Sequence, residues 1–134
     1  MNTDKLVWLT TGSLICASLM VTNVLRADHH EEGEDSKPNH SISDIMKNAH
    51  KGKDTMLKRV IAGEPKDGEV KQLIEYYLAL EKHEAPKGDA TSWKEKTQAL
   101  TKAAIYVYAE KDGAQEMLKT ASSCKACHSA HKPD

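Results

Sequence analysis

The chain has 134 residues, a length typical of one domain with one hydrophobic core. Only 4% of the residues are aromatic and none is Phe, so aliphatic side chains must fill the core, which favours helices packed side by side. The 19 basic and 20 acidic residues give a formal net charge of -1. Because nucleic-acid binding requires a basic surface, this balance argues against a nucleic-acid partner.

The N-terminal residues 1–27 have the pattern of an export signal. Lys5 precedes an almost uncharged apolar stretch over residues 6–25, and Ala27 is a small residue suited to peptidase cleavage. We therefore predict a signal peptide over residues 1–27 and a periplasmic protein. The apolar stretch is about as long as the ~20 residues that span a bilayer, so an uncleaved anchor is the alternative. Only in that case is contact with a membrane expected.

Residues 28–41, DHHEEGEDSKPNHS, follow the predicted signal. This stretch is acidic and rich in His, and it has almost no apolar side chains. Burial of so little apolar surface cannot offset the entropy lost on ordering the backbone. We predict a flexible leader.

From residue 42 onward, apolar residues recur at intervals of three and four, which predicts helices. The first is expected to begin at the capping pair Ser41 and Asp44, and the second at Asp67. Capping residues, Gly and Pro delimit four amphipathic segments, at about 41–63, 67–86, 89–107 and 114–131. Short polar turns between them predict an all-α fold, an antiparallel four-helix bundle.

The last segment contains the motif CKACH. On a helix, Cys124 and Cys127 lie about one turn apart, and His128 follows Cys124 by four residues, so the three side chains share one side. Two thiols can bond the vinyl groups of one haem while the imidazole binds its iron, which is the C-x-x-C-H attachment signature. We predict one covalent haem c, held by Cys124 and Cys127, with His128 as an iron ligand.

The motif has three other interpretations. A disulfide between Cys124 and Cys127 leaves His128 unexplained and closes a very short loop. A thioredoxin-like redox pair needs a preceding strand, which the sequence lacks. Zinc bound by these three residues and His131 lacks the usual gap between ligand pairs. We expect His131 to be exposed, and His83 to complement the dipole at the end of the second helix.

An exported helical bundle with CKACH in its last helix and a basic residue, Lys132, four places after His128 resembles the class II c-type cytochromes, the cytochrome c′ family. The resemblance covers about residues 41–133. It implies a haem domain over residues 42–134 in which His128 is the proximal ligand and Lys132 its basic neighbour. It also implies a homodimer formed through the first two helices.

In this family the first helix crosses the distal side of the haem. Met46, followed by Lys47, resembles the Met-Lys pair of the low-spin members, which implies that Met46 is the distal iron ligand. His50 is the alternative, because it follows Met46 by four residues and imidazole binds iron readily. The usual Arg four residues before the Met is replaced by Ile42. An open distal site is the third alternative.

The distal ligand decides the expected function. With Met46 or His50 bound, the iron is closed to substrates, and we expect an electron carrier rather than an enzyme, exchanging single electrons with redox partner proteins. An open site would bind nitric oxide or carbon monoxide, as cytochrome c′ members do. A peroxidase would need His50 as an acid–base group and Met46 off the metal.

Overall fold

The computed structural model of the chain describes residues 37–133, and these form helices and loops without any strand. This confirms the all-α prediction for that part of the chain. The predicted signal peptide and residues 28–36 of the predicted leader lie outside the described residues. The helical elements are α1 (Ile42–Ile45), a π-helical turn that continues it (Met46–His50), α2 (Met56–Ala62), α3 (Glu69–Lys82), α4 (Ala90–Tyr108), α5 (Ala114–Ala121) and α6 (Cys124–His131).

The first predicted helix is interrupted. Its start is as expected, because the Ser41 hydroxyl accepts a hydrogen bond from the Asp44 backbone N–H at 3.1 Å. The prediction of one continuous helix is wrong, since the chain leaves the helical path after the π-helical turn and Gly52 adopts φ +132°. A new helix, α2, begins after Thr55, whose hydroxyl accepts from the Lys58 backbone N–H at 3.2 Å. A Gly followed by a capping residue separates the two apolar stretches.

The predicted caps of α3 and α4 have different outcomes. Asp67 does not cap α3, because Gly68 occupies the N-cap position at φ +79° and no side chain bonds to the first turn. Asp89 does cap α4, and its carboxylate accepts a hydrogen bond from the Ser92 backbone N–H at 2.6 Å.

An ion pair joins α2 to the start of α3. The buried carboxylate of Glu69 accepts hydrogen bonds from Arg59 Nε at 3.1 Å, from Arg59 Nη2 and from the Lys66 backbone N–H at 2.9 Å. Arg59 also contacts the exposed carboxylate of Asp54 at 2.8 Å. One guanidinium group therefore connects α3 to the loop that precedes α2.

The fourth predicted helix is also divided. Residues 122 and 123 separate α5 from α6, and the Ser123 hydroxyl caps α6 by accepting from the Ala126 backbone N–H at 3.5 Å. Ser competes with the helical backbone through its own hydroxyl, so two consecutive Ser residues favour a helix end and a new start. The CKACH motif consequently occupies the first two turns of its own short helix.

The hydrophobic core lies between α2, α3, α4 and α5. Helix α4 packs against both α3 and α5, and α2 packs against α3, α5 and the π-helical turn. The buried apolar residues are Ile45, Ala49, Met56, Leu57, Val60, Leu73, Tyr76, Tyr77, Ala79, Leu80, Trp93, Leu100, Ala103, Ala104, Val107, Ala114 and Leu118. None of them is in α6, which packs against α4 beside this core.

None of the helices between residues 37 and 133 has both the length and the apolar character needed to cross a membrane.

Candidate functional site

A cavity of about 540 Å³ brings the predicted haem residues together. The motif residues Cys124, Cys127 and His128 line it, and so do Met46 and His50 from the π-helical turn. This volume is within the range of about 300–1,000 Å³ that is usual for cofactor pockets. The residues that the CKACH motif and the family resemblance selected from two ends of the domain therefore share one cavity.

Apolar side chains form much of the remaining wall. Leu80 of α3 and Trp93 and Leu100 of α4 line the cavity and are themselves buried. Since apolar walls exclude water and strengthen electrostatic interactions inside, they suit a hydrophobic cofactor with a charged metal.

The two motif cysteines are free thiols. Cys124 is exposed and Cys127 is half-buried. Burial raises the pKa of the Cys127 thiol, and the neighbouring Cys124 raises it further, whereas the positive charge of Lys96 opposes the change. Both thiols reach the cavity, so the arrangement does not require a disulfide between them.

His50 is the most unusual group in the cavity. Its Nε2 atom is buried and has no hydrogen-bond partner among the described residues. The pKa of His50 is lowered to about 4, because burial disfavours the charged imidazole and because His128 is close enough to add an electrostatic effect. The ring lies beside that of Tyr77, with 5.8 Å between centroids. Burial therefore disfavours a charged His50, and its Nε2 has no partner in the described part of the chain.

Met46 lines the same cavity and is partly buried. It belongs to the π-helical turn, which is closed by a hydrogen bond of 2.9 Å from the Lys51 backbone N–H to the Met46 carbonyl. Its thioether sulfur is only a weak acceptor and can be buried without a partner. The structure therefore places both predicted distal residues at the cavity.

Lys132 is at the cavity rim. It is exposed, lies at the C-cap position of α6, and its backbone N–H donates to the His128 carbonyl at 3.2 Å. Its role as the basic neighbour of an iron ligand stays a prediction.

The expectation that His131 is exposed is wrong. Only 2% of its surface is exposed. Its Nδ1 donates to the Lys87 carbonyl at 2.9 Å, and its Nε2 accepts from the Ser92 hydroxyl at 3.2 Å. With both nitrogens occupied, His131 is not suited to the zinc alternative. The spacing held a signal for this burial, since His131 follows the inward-facing Cys127 by four residues.

Two further contacts fix the same end of α6. The ring of Trp93 meets that of His131 edge-on, with 5.5 Å between centroids. Gly88 has φ +81°, and a Cβ atom at this position would come within 2.6 Å of the Ala130 carbonyl oxygen. Only Gly permits this close approach of the loop before α4 to α6.

His83 has a role beyond its position at the end of α3. Its Nε2 donates to the His40 carbonyl at 2.7 Å, and its own carbonyl accepts from Trp93 Nε1 at 2.8 Å. The His40 ring also contacts that of Tyr76, with 4.9 Å between centroids. Sequence reasoning missed this network because its members are distant along the chain.

Comparisons with known proteins found no match to a family model, a curated protein or a solved structure. Within residues 37–133, no three His, Cys, Asp or Glu side chains are grouped so that they could hold a metal ion. A haem requires fewer protein ligands, since its porphyrin supplies four nitrogens to the iron. Two thiols and the imidazoles of His128 and His50, which all belong to residues that line one apolar cavity, fit that group.

Proposed function

We propose that the chain is an exported class II c-type cytochrome. In this proposal it carries single electrons through one covalent haem c. The observation that supports this most strongly is the shared cavity, where the CKACH motif of α6 lies with His50 and Met46 of the first helical stretch. These groups come from opposite ends of the domain, and the motif alone does not bring them together.

Each residue has a defined role in this proposal. Cys124 and Cys127 form thioether bonds to the haem, and His128 is the proximal ligand. When bound, the haem supplies the Fe(II)/Fe(III) couple that the side chains lack. The buried walls formed by Leu80 and Trp93 exclude water and keep the surroundings apolar.

The proposed architecture is an antiparallel four-helix bundle in which two of the four members are interrupted. The first member consists of α1, the π-helical turn and α2, and the fourth consists of α5 and α6. The short loops and the packing of α4 between α3 and α5 support this arrangement. A homodimer through the first two members remains part of the proposal.

Redox partners are proposed to be proteins with an acidic docking surface. The positive charge of Lys96 acts on the Cys127 thiol, so a basic group lies close to the proposed haem edge. Lys94 and Lys125 are also exposed, and Lys119 is exposed but paired with Glu116 at 3.3 Å. Complementary charge of this kind accelerates association with acidic partners.

The test is to express the full chain together with a haem-attachment machinery and to measure the mass and visible spectrum of the exported protein. We expect the mass of the polypeptide plus one haem and a reversible change of spectrum on reduction. The control is the double variant Cys124→Ser and Cys127→Ser, which should export without covalent haem. A colourless wild-type protein with the mass of the bare chain would exclude the proposal.

The same preparation separates electron transfer from gas binding. A carrier with both axial positions filled should show no rapid spectral change when its ferrous form meets carbon monoxide. Immediate binding would instead support the open-site alternative, a nitric oxide or carbon monoxide binding protein. Peroxide turnover at that open site would support the peroxidase alternative.

A further inference from the structure

The haem cavity contains two candidates for the second axial ligand, Met46 and His50. We propose that His50, and not Met46, is this ligand, so that the iron is held by two imidazoles. The inference rests on the proposed haem function and differs from the family resemblance, which implies Met46 as the ligand.

The first argument is the difference in what the two side chains lose when they are buried. A buried imidazole nitrogen without a partner loses its hydration and gains no hydrogen bond in exchange. His50 Nε2 is in this condition among the described residues. The Met46 sulfur incurs no comparable cost, because a thioether forms only weak hydrogen bonds in water. A metal bond would satisfy the His50 nitrogen, whereas Met46 has no unsatisfied group.

The second argument is position. His50 and His128 line the same cavity, and the two rings are close enough to influence each other electrostatically. The two imidazoles therefore line one apolar space, one from each end of the domain.

The third argument is the local backbone and packing. His50 is the last residue of the π-helical turn, and the chain continues from it in an extended conformation at Lys51. π-Helical turns are rare in proteins, and those that occur are often found at functional sites. The buried ring of Tyr77 lies against the His50 ring and restricts its orientation.

Two consequences follow for the electron carrier. Because Met ligation raises the reduction potential of a haem, replacing it by a second imidazole favours a lower potential. The natural partners would then be donors and acceptors of low potential. With both axial positions filled by side chains of the chain, small gases have no free position on the iron.

The test compares three variants of the haem-loaded protein: His50→Ala, Met46→Leu and Tyr77→Phe. The Met46→Leu change conserves volume, and Tyr77→Phe removes the other buried unpartnered atom beside the cavity. Ferric spectra and electron paramagnetic resonance report the spin state. We expect a low-spin wild type without the weak near-infrared band of sulfur-bound iron. Only His50→Ala should become high-spin and bind carbon monoxide in its ferrous form.

Chemical rescue distinguishes ligation from a structural role. Free imidazole added to His50→Ala should restore the low-spin spectrum, because it can occupy the vacated space and bind the iron. A variant that is merely misfolded would not recover, and far-ultraviolet circular dichroism would reveal its loss of helix.

Failure of this inference is distinguishable from failure of the proposed function. If haem is attached but Met46→Leu is the variant that becomes high-spin, or if His50→Ala stays low-spin, His50 is not the ligand. A high-spin wild type with attached haem would likewise overturn the inference. Absence of covalent haem from the wild type would instead reject the proposed function.

Discussion

Glu69 shows how one buried carboxylate connects two helices. Its hydrogen bonds with Arg59 lower its pKa, and the hydrogen bond from the Lys66 backbone N–H lowers the pKa further. Burial acts in the opposite direction and raises the pKa in part. In the folded protein the group stays ionised at a pH where the unfolded chain has begun to bind protons. The pair therefore stabilises the protein above the ordinary Glu pKa of about 4.3, and this contribution is lost as the pH falls through the lower folded-state value.

Glu69→Gln should destabilise the protein at pH 7, and its deficit relative to the wild type should shrink steadily below about pH 4. The measurement is the free energy of unfolding in urea across a pH series. Glu75→Gln, a change at an exposed carboxylate on the same helix α3, is the control and should leave that pH dependence nearly unchanged. A constant deficit from pH 3 to pH 7 would contradict the proposed role of ionisation.

Individual site residues differed in how well the sequence could predict them. Cys124, Cys127 and His128 are close in sequence, so helical spacing is enough to group them. Met46 and His50 could be proposed for the cavity only through the family resemblance. The burial of His131 depends on Lys87, 44 residues earlier in the chain, and no local pattern identifies that partner.

At the scale of elements, helix starts depend on which side chain meets the first turn. The Asp89 carboxylate accepts a hydrogen bond from the Ser92 backbone N–H, whereas Asp67 precedes α3 without capping it. Asp89→Ala should therefore cost about 1 kcal/mol, the usual value of an N-cap. Asp67→Ala should cost less than half as much, since only a weaker interaction with the helix dipole is lost.

Thermal or urea unfolding of these two variants measures the difference directly. Equal losses would show that the hydrogen bond at Asp89 contributes nothing specific. The comparison is matched, because both residues are exposed Asp side chains next to the start of a long helix.

The helices themselves were predictable, but their interruptions were not. Apolar periodicity continues across residues 41–61 and 114–131, and it reports only which face is buried. The interruptions come from Gly52 with Thr55 and from Ser122 with Ser123, residues that disfavour a helix interior but do not by themselves require a helix to end. Packing decides which of these signals the chain follows, and that information is absent from a local pattern.

At the scale of the whole domain, His40 of the predicted leader contacts the end of α3. The His40 carbonyl accepts from His83, and the His40 ring contacts Tyr76. A chain that begins at Ser41 should therefore be less stable than one that begins at Asn39, by about 1–2 kcal/mol for one hydrogen bond and one aromatic contact.

Both shortened chains should be produced behind the same cleavable leader and compared by urea unfolding. Each chain retains the Ser41 cap of α1, so the difference in their free energies of unfolding does not include the loss of that cap. Equal stability of the two chains would place the boundary after His40 instead.

The contacts of His131 and Gly88 have one more implication. They hold the C-terminal end of α6 against the loop before α4, while Ser123 defines the start of the helix. None of these bonds involves the motif cysteines or His128. The helix that carries the motif is therefore held by contacts outside the proposed haem ligands. The proposed haem attachment would then not have to offset the entropy of fixing that helix, because it is already lost when the polypeptide folds.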